Sequence, residues 1–330
     1  MFGKASAVAL LLLAFASGAA AVADTFGTGP NQFTLDFVPI SGATNPTSGY
    51  GIVNRDYRMG VGEITNDQWN KFQSAYGAVN GSPSSAYDAS FNPWGIGTVG
   101  APANNVSWYE AAQFVNWLNV STNHQAAYKF TGTQGTGNYA FAPWTAAEAA
   151  GGTNLYRHKD AYYFLPTEDE WSKAAYWNGV SRQTFATKLG ENLTQGSGVG
   201  GSGWNYMIGT DAGPSGAAVG PWNVGSGSQE LNGTRDMMGN VWEWMESPYS
   251  SGDYGVTALR GARGGASGSD SSSLAYSNRG YNFPENEDRT IGFRVASNVP
   301  EPGCIALLAG LALTALLCCW RKRPYSSRSA

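Results

Sequence analysis

Apolar and polar positions along this chain fall into three helical patterns, each opened by the same local signal. Thr65-Asn66-Asp67-Gln68, Ser107-Trp108-Tyr109-Glu110 and Thr167-Glu168-Asp169-Glu170 each place a hydroxyl at a helix start, with Glu or Gln three residues on to close a capping box. Behind these boxes apolar residues recur at helical spacing: Trp69, Phe72 and Tyr76, then Trp108, Ala111, Ala112, Val115 and Leu118, then Trp171, Ala174 and Ala175. Elsewhere the apolar runs are short and bounded by turn residues or charges, as in 161–165 and 291–295, and they read as brief strands. The pattern predicts an α+β fold with much irregular structure.

Two longer apolar stretches stand near the ends. Lys4 precedes the run from Ala7 to Phe15, and Ala21-Val22-Ala23 offers small residues for cleavage before Asp24, so residues 1–23 read as a signal peptide. Gly303 to Trp320 is 18 residues without a charge, followed directly by Arg321-Lys322-Arg323. As a helix rising ~1.5 Å per residue it would reach about 27 Å and cross a bilayer. The basic cluster after it then sits on the cytoplasmic side, which puts everything N-terminal of it outside. With Pro300-Glu301-Pro302 just ahead of the apolar run, residues 299–330 resemble the PEP-CTERM sorting tail of Gram-negative bacteria. That resemblance implies an exosortase-type protease as a partner and delivery to the cell surface or extracellular matrix. The 303–320 segment then anchors the chain in the membrane, at least transiently.

Composition narrows what the body between these ends, residues 24–298, can do. Charged residues make up 13% of the chain against a typical ~25%, while Gly reaches 44 and Trp 12, which favours turns and aromatic packing over long surface helices. A net charge of −4 supplies no basic field for nucleic acid. All three cysteines, Cys304, Cys318 and Cys319, lie in the tail, so chemistry in the body must work without disulfides or thiolates.

The densest constellation is Asp236-Met237-Met238-Gly239-Asn240-Val241-Trp242-Glu243-Trp244. Two carboxylates seven residues apart, with a Gly-Asn turn between them, can curl around one hard cation while the Gly239 and Val241 carbonyls fill the intervening positions. Oxygen donors alone suit calcium rather than zinc or copper.

Gly239-Asn240-Val241-Trp242-Glu243-Trp244 occurs together with 105–111, Leu165-Pro166-Thr167-Glu168-Asp169-Glu170-Trp171, Arg263-Gly264-Gly265 and Ile291-Gly292-Phe293-Arg294. In this order these blocks resemble the formylglycine-generating enzyme, or sulfatase-modifying factor, family over residues ~35–297. The resemblance implies a variant C-type-lectin-like fold of low secondary-structure content, stabilised by calcium. One calcium site would fall on Asp236, Gly239, Val241 and Glu243, with Asp236 where the family more usually has Asn. A second would fall on Asn205 and Tyr206, then Asp211 and Gly213.

The family's founding activity oxidises a substrate cysteine to formylglycine with oxygen and a copper(I) ion held by two thiolates. Those thiolates belong shortly after the Arg-Gly-Gly block, where this chain reads Ala266-Ser267-Gly268-Ser269-Asp270-Ser271-Ser272-Ser273-Leu274. Serine oxygens are hard, weak ligands for copper(I) and cannot run thiol redox chemistry, so copper is not expected. A related branch makes sulfoxides with a three-histidine iron site, but the chain has only His124 and His158, which read as loop or surface residues.

Two functions remain. One is a surface module that is non-catalytic and calcium-stabilised, binding a glycan or peptide in the groove that family enzymes use for substrate. The other is an enzyme with altered chemistry drawing on Asp270, Arg279 or Tyr276. Arg294 is expected to pair with a carboxylate or backbone carbonyls in the core, and the tryptophans are expected to pack the core.

Overall fold

A computed structural model describes residues 21–88, 99–207 and 220–300. The predicted signal peptide as far as Ala20, the predicted tail beyond Pro300 with its 303–320 segment, and Asp211 and Gly213 lie outside the described residues. Among those described, no helix is long and apolar enough to cross a membrane.

The chain opens with strands β1 (Val22–Phe26), β2 (Phe33–Ile40) and β3 (Tyr57–Gly60), then helices α1 (Asn66–Tyr76) and α2 (Trp108–Ser121). Short strands follow: β4 (Lys129–Thr131), β5 (Ala140–Ala142), β6 (Ala149–Ala150), β7 (Asn154–His158) and β8 (Tyr163–Phe164). After α3 (Glu168–Tyr176) come β9 (Trp242–Pro248), β10 (Arg260–Arg263), β11 (Gly280–Asn282), β12 (Ile291–Gly292) and β13 (Ala296–Asn298).

All three helices begin where the sequence predicts, and by the expected device. Thr65, Ser107 and Thr167 each accept from the backbone N–H three residues on, and the side chains of Gln68, Glu110 and Glu170 reach back to the cap amide. Such a cap contributes about 1 kcal/mol. The predicted apolar faces are buried, from Trp69 and Phe72 on α1 through Leu118 on α2 to Trp171 and Ala175 on α3. Trp69 stacks on Phe114 at 5.9 Å between centroids and meets Phe293 edge-on at 6.0 Å, so α1, α2 and the segment after β12 share one core. The expectation of core tryptophans holds for Trp69, Trp108, Trp171, Trp204 and Trp244, each at most 2% exposed.

Two sheets organise the rest. One is five-stranded and antiparallel, ordered β1-β2-β3-β13-β8, and so closes the N-terminal strands onto the last one. The other runs β11-β10-β9-β12, with β12 parallel to β9. Of the two predicted strands, 161–165 contains β8, whereas 291–295 keeps only Ile291 and Gly292 in β12 before the chain turns to β13. Arg294, in the stretch joining these two strands, is fully buried and pairs with Glu243. β1 starts at Val22, so the fold takes up two residues that the sequence reading assigns to the signal peptide.

Candidate functional site

The turn from Asp236 to Glu243 is built by three residues with positive φ: Asp236 (58°), Gly239 (78°) and Asn240 (61°). Gly239 is required there by space as well as by conformation. A Cβ would lie 2.1 Å from the Asn205 carbonyl oxygen, because 205 and 239 run side by side, with the Asn240 N–H donating to the Asn205 carbonyl at 2.9 Å.

Asn240 is the hub of this turn and is 1% exposed. Its Oδ1 accepts from Asn205 Nδ2 at 2.9 Å and from the Trp222 N–H at 2.7 Å, while its Nδ2 donates to Glu63 Oε2 at 2.7 Å. Glu63 Oε1 in turn accepts from the Val241 N–H at 3.3 Å. Residues from three distant stretches of sequence are thereby tied to one side chain.

Glu243 is fully buried and held by Arg294 in a two-pronged pair, Nε to Oε2 at 2.6 Å and Nη2 to Oε1 at 2.5 Å, with Trp171 Nε1 also donating to Oε2 at 2.7 Å. Arg294 spends its remaining donors on the Gly60, Val61 and Arg235 carbonyls. This is the carboxylate-and-carbonyl role expected of it. Asp236 Oδ2 accepts from the Gly225 N–H at 2.6 Å. Glu230 accepts from the Met237 and Met238 amides and from Thr234 Oγ1.

Charge balance is the notable property of this cluster. Four buried carboxyls, on Glu63, Glu230, Asp236 and Glu243, gather near one fully buried guanidinium, that of Arg294. Burial, and then the charges of Asp236 and Glu243, push the Glu63 carboxyl well above the usual range. Burial also raises Asp236, and it pushes Glu230 up to about 8 even against the pull of Arg294. Excess buried acid must either take protons or be met by a cation. A cleft of about 320 Å³, lined in part by Glu63, Gly225 and Arg235, opens beside the cluster.

The oxygens present are of the kind calcium takes, though part of the acidic set is already engaged. Among the described residues no three acidic, histidine or cysteine side chains are arranged to hold a metal ion by themselves, so a cation here would need amide and carbonyl oxygens as well, as calcium accepts. The structure brings Asp236, Gly239, Val241 and Glu243 onto one turn and sets Asn205 directly against it. Asn205 Oδ1 is buried and has no hydrogen-bond partner among the described residues, an oxygen suited to a cation. Glu243 already uses three of its roughly four acceptor positions on Arg294 and Trp171. The Tyr206 carbonyl accepts from Gln195 Nε2 at 2.8 Å.

Glu63, which lies far from the turn in sequence, and Glu230, six residues ahead of Asp236, were not among the expected site residues. The available signal was an acid inside an otherwise apolar block, as in Gly62-Glu63-Ile64.

The loop after Arg263 packs directly onto this turn. Gly264 gives its carbonyl to the Gly239 N–H at 2.9 Å, the Ser267 N–H donates to the Asn240 carbonyl at 2.9 Å, and the Ser269 carbonyl accepts from Met207 at 2.7 Å. Ser267 and Leu274 are 1% and 0% exposed, so hydroxyl and hydrocarbon fill this part of the interior. Each of the groups named for altered chemistry has at least one partner. Asp270 accepts from Ser272 and Ser273 of its own turn, Arg279 forks onto Glu168, and the Tyr276 hydroxyl accepts from the Tyr50 N–H. His124 is exposed and stacks on Tyr162, and His158 packs edge-on against Trp144.

A mixed α/β fold with few helices and curled sheets, centred on a Gly-Asn turn and the Arg-Gly-Gly loop against it, defines the class. The chain belongs to the sulfatase-modifying factor enzyme 1-like family, whose domain matches residues 25–299. It is 32% identical over 145 residues to the inactive C-alpha-formylglycine-generating enzyme 2 of Bos taurus, covering 42% of this chain and 45% of that protein. The Mus musculus protein of the same name is also 32% identical over 145 residues, covering 42% and 44%. The chain thus spans less than half the length of these relatives. Two solved structures share the fold at 21% identity and a TM-score of 0.55: Treponema denticola variable protein 1, covering 84% of this chain and 99% of that one, and CarF, covering 81% and 99%.

Proposed function

We propose that this chain is an exported binding module built on the sulfatase-modifying factor scaffold, without the family's copper-dependent oxidation. The observation that carries this reading is the stretch from Ala266 to Leu274, which holds serines and leucine and no cysteine. Without a thiolate pair there is neither a copper(I) site nor a group to exchange with a substrate thiol. The relatives named inactive support the same reading.

Calcium bound by Asn205 and the Asp236–Glu243 turn would supply positive charge to the acidic cluster and fix the turn. The tail would direct the protein through an exosortase-type protease to the cell surface or extracellular matrix, where the groove beside the 264–273 loop takes a glycan or peptide. The test is direct: the full chain, purified in mild detergent, is incubated with a cysteine-containing sulfatase peptide, copper(I) and oxygen. An unchanged peptide mass supports the module, and conversion to formylglycine establishes the alternative of an enzyme with altered chemistry.

A further inference from the structure

A row of alternating aromatic rings and guanidiniums flanks the 264–273 loop. Arg182 lies over the Tyr276 ring at 4.0 Å, Arg263 over Tyr50 at 5.0 Å, and Arg279 over Tyr50 at 4.8 Å and Tyr249 at 4.4 Å. The Tyr249 and Tyr281 rings continue the row at 4.4 Å between centroids. Its inner end is fixed by Glu168, which is 3% exposed and binds both Arg263 and Arg279. Its outer end is open. Tyr281 is 55% exposed, Phe283 just beyond it is 52% exposed, and the Arg279 side chain is 24% exposed.

Arg263 and Arg279 share the Glu168 carboxylate, while Asp169 accepts from the Gly51 N–H and Arg182 donates to the Ser48 and Tyr50 carbonyls. Arg279 gives Nε and Nη2 to Glu168 and Tyr249, and no acceptor among the described residues takes its Nη1. A rigid guanidinium with a spare donor beside an exposed aromatic ring is a pairing that recognises a carboxylate carried on a ring able to pack against it. Sugar rings offer such a ring, since their C–H faces pack on aromatics while their substituents reach outward. The edge strand Gly280–Asn282 has only three residues, too short to hold an added peptide strand.

We propose that the outer end of this row, Arg279 with Tyr249 and Tyr281, binds a carboxylate-bearing polysaccharide, the sugar ring on the tyrosines and the acid on Arg279 Nη1. This rests on the binding-module reading and names its ligand class.

The test uses the full chain in detergent against three polymers: polygalacturonate, neutral dextran and polyglutamate. Polygalacturonate is expected to bind, more weakly as salt rises, and dextran and polyglutamate to bind at least about tenfold less tightly. Tyr281→Ala, at an exposed position where folding is not at stake, is expected to weaken polygalacturonate binding about tenfold, as is Arg279→Gln. Polyglutamate bound as tightly as polygalacturonate, an unaffected Tyr281→Ala protein, or no polygalacturonate binding overturns the proposal. Binding of some other glycan or peptide alone would sink this site while leaving the module reading intact, whereas formylglycine production would remove the module reading itself.

Discussion

Arg294 and Glu243 show how much one buried pair can decide. Both are fully buried, and Arg294 also holds three backbone carbonyls, so removing the guanidinium strands an acid among three other buried carboxyls. Arg294→Met is expected to lower stability by roughly 3–5 kcal/mol in chemical denaturation, and adding Glu243→Leu to restore part of that loss. Gly239→Ala should cost on the order of 3 kcal/mol, because the new methyl meets the Asn205 backbone in a φ > 0 turn. The carboxylates of this turn were legible because they are seven residues apart on one short segment. Glu63 was not, since only the folded chain carries it there, onto Asn240, and Glu230, though close in sequence, gives no sign there that its carboxyl turns inward onto the Met237 and Met238 amides.

At the scale of elements, helices were legible and most strands were not. A capping box is complete within four residues, so Thr65, Ser107 and Thr167 announce their helices before any tertiary contact exists. Strands such as β10 and β11 take their pairing from segments tens of residues away, and at three or four residues they carry no usable alternation.

The start of α3 also sets a pH response. Burial favours the neutral form of Glu170, but Arg157 and Arg55 outweigh it and hold the carboxyl at about 2, against an ordinary 4.5. A carboxyl depressed in the fold contributes stability above its unfolded pKa and loses it as pH falls through the folded one. The contribution, roughly 3 kcal/mol, is therefore expected to disappear between about pH 4.5 and 2. Glu170→Gln should flatten that limb of an acid-unfolding curve. β1 adds a processing prediction. Because the strand begins at Val22, and Ala19-Ala20-Ala21 offers small residues at the same spacing, export as proposed is expected to leave Val22 as the first residue, two residues earlier than the sequence pattern suggests. The intact mass of the secreted chain checks it.

At the scale of the whole molecule, the described residues form two hydrophobic clusters and a buried acidic cluster, and the 266–274 stretch packed onto its turn holds no cysteine. Calcium is expected to raise the melting temperature by binding the folded state alone, and Asn205→Ala to reduce that rise, because its side-chain oxygen has no other partner among the described residues. An equal rise in the variant would move the calcium elsewhere. The proposed loss of cysteine oxidation is decided by the mass of a cysteine-containing sulfatase peptide after incubation with the full chain, copper(I) and oxygen. An unchanged mass is expected; a peptide carrying formylglycine would overturn the binding-module reading.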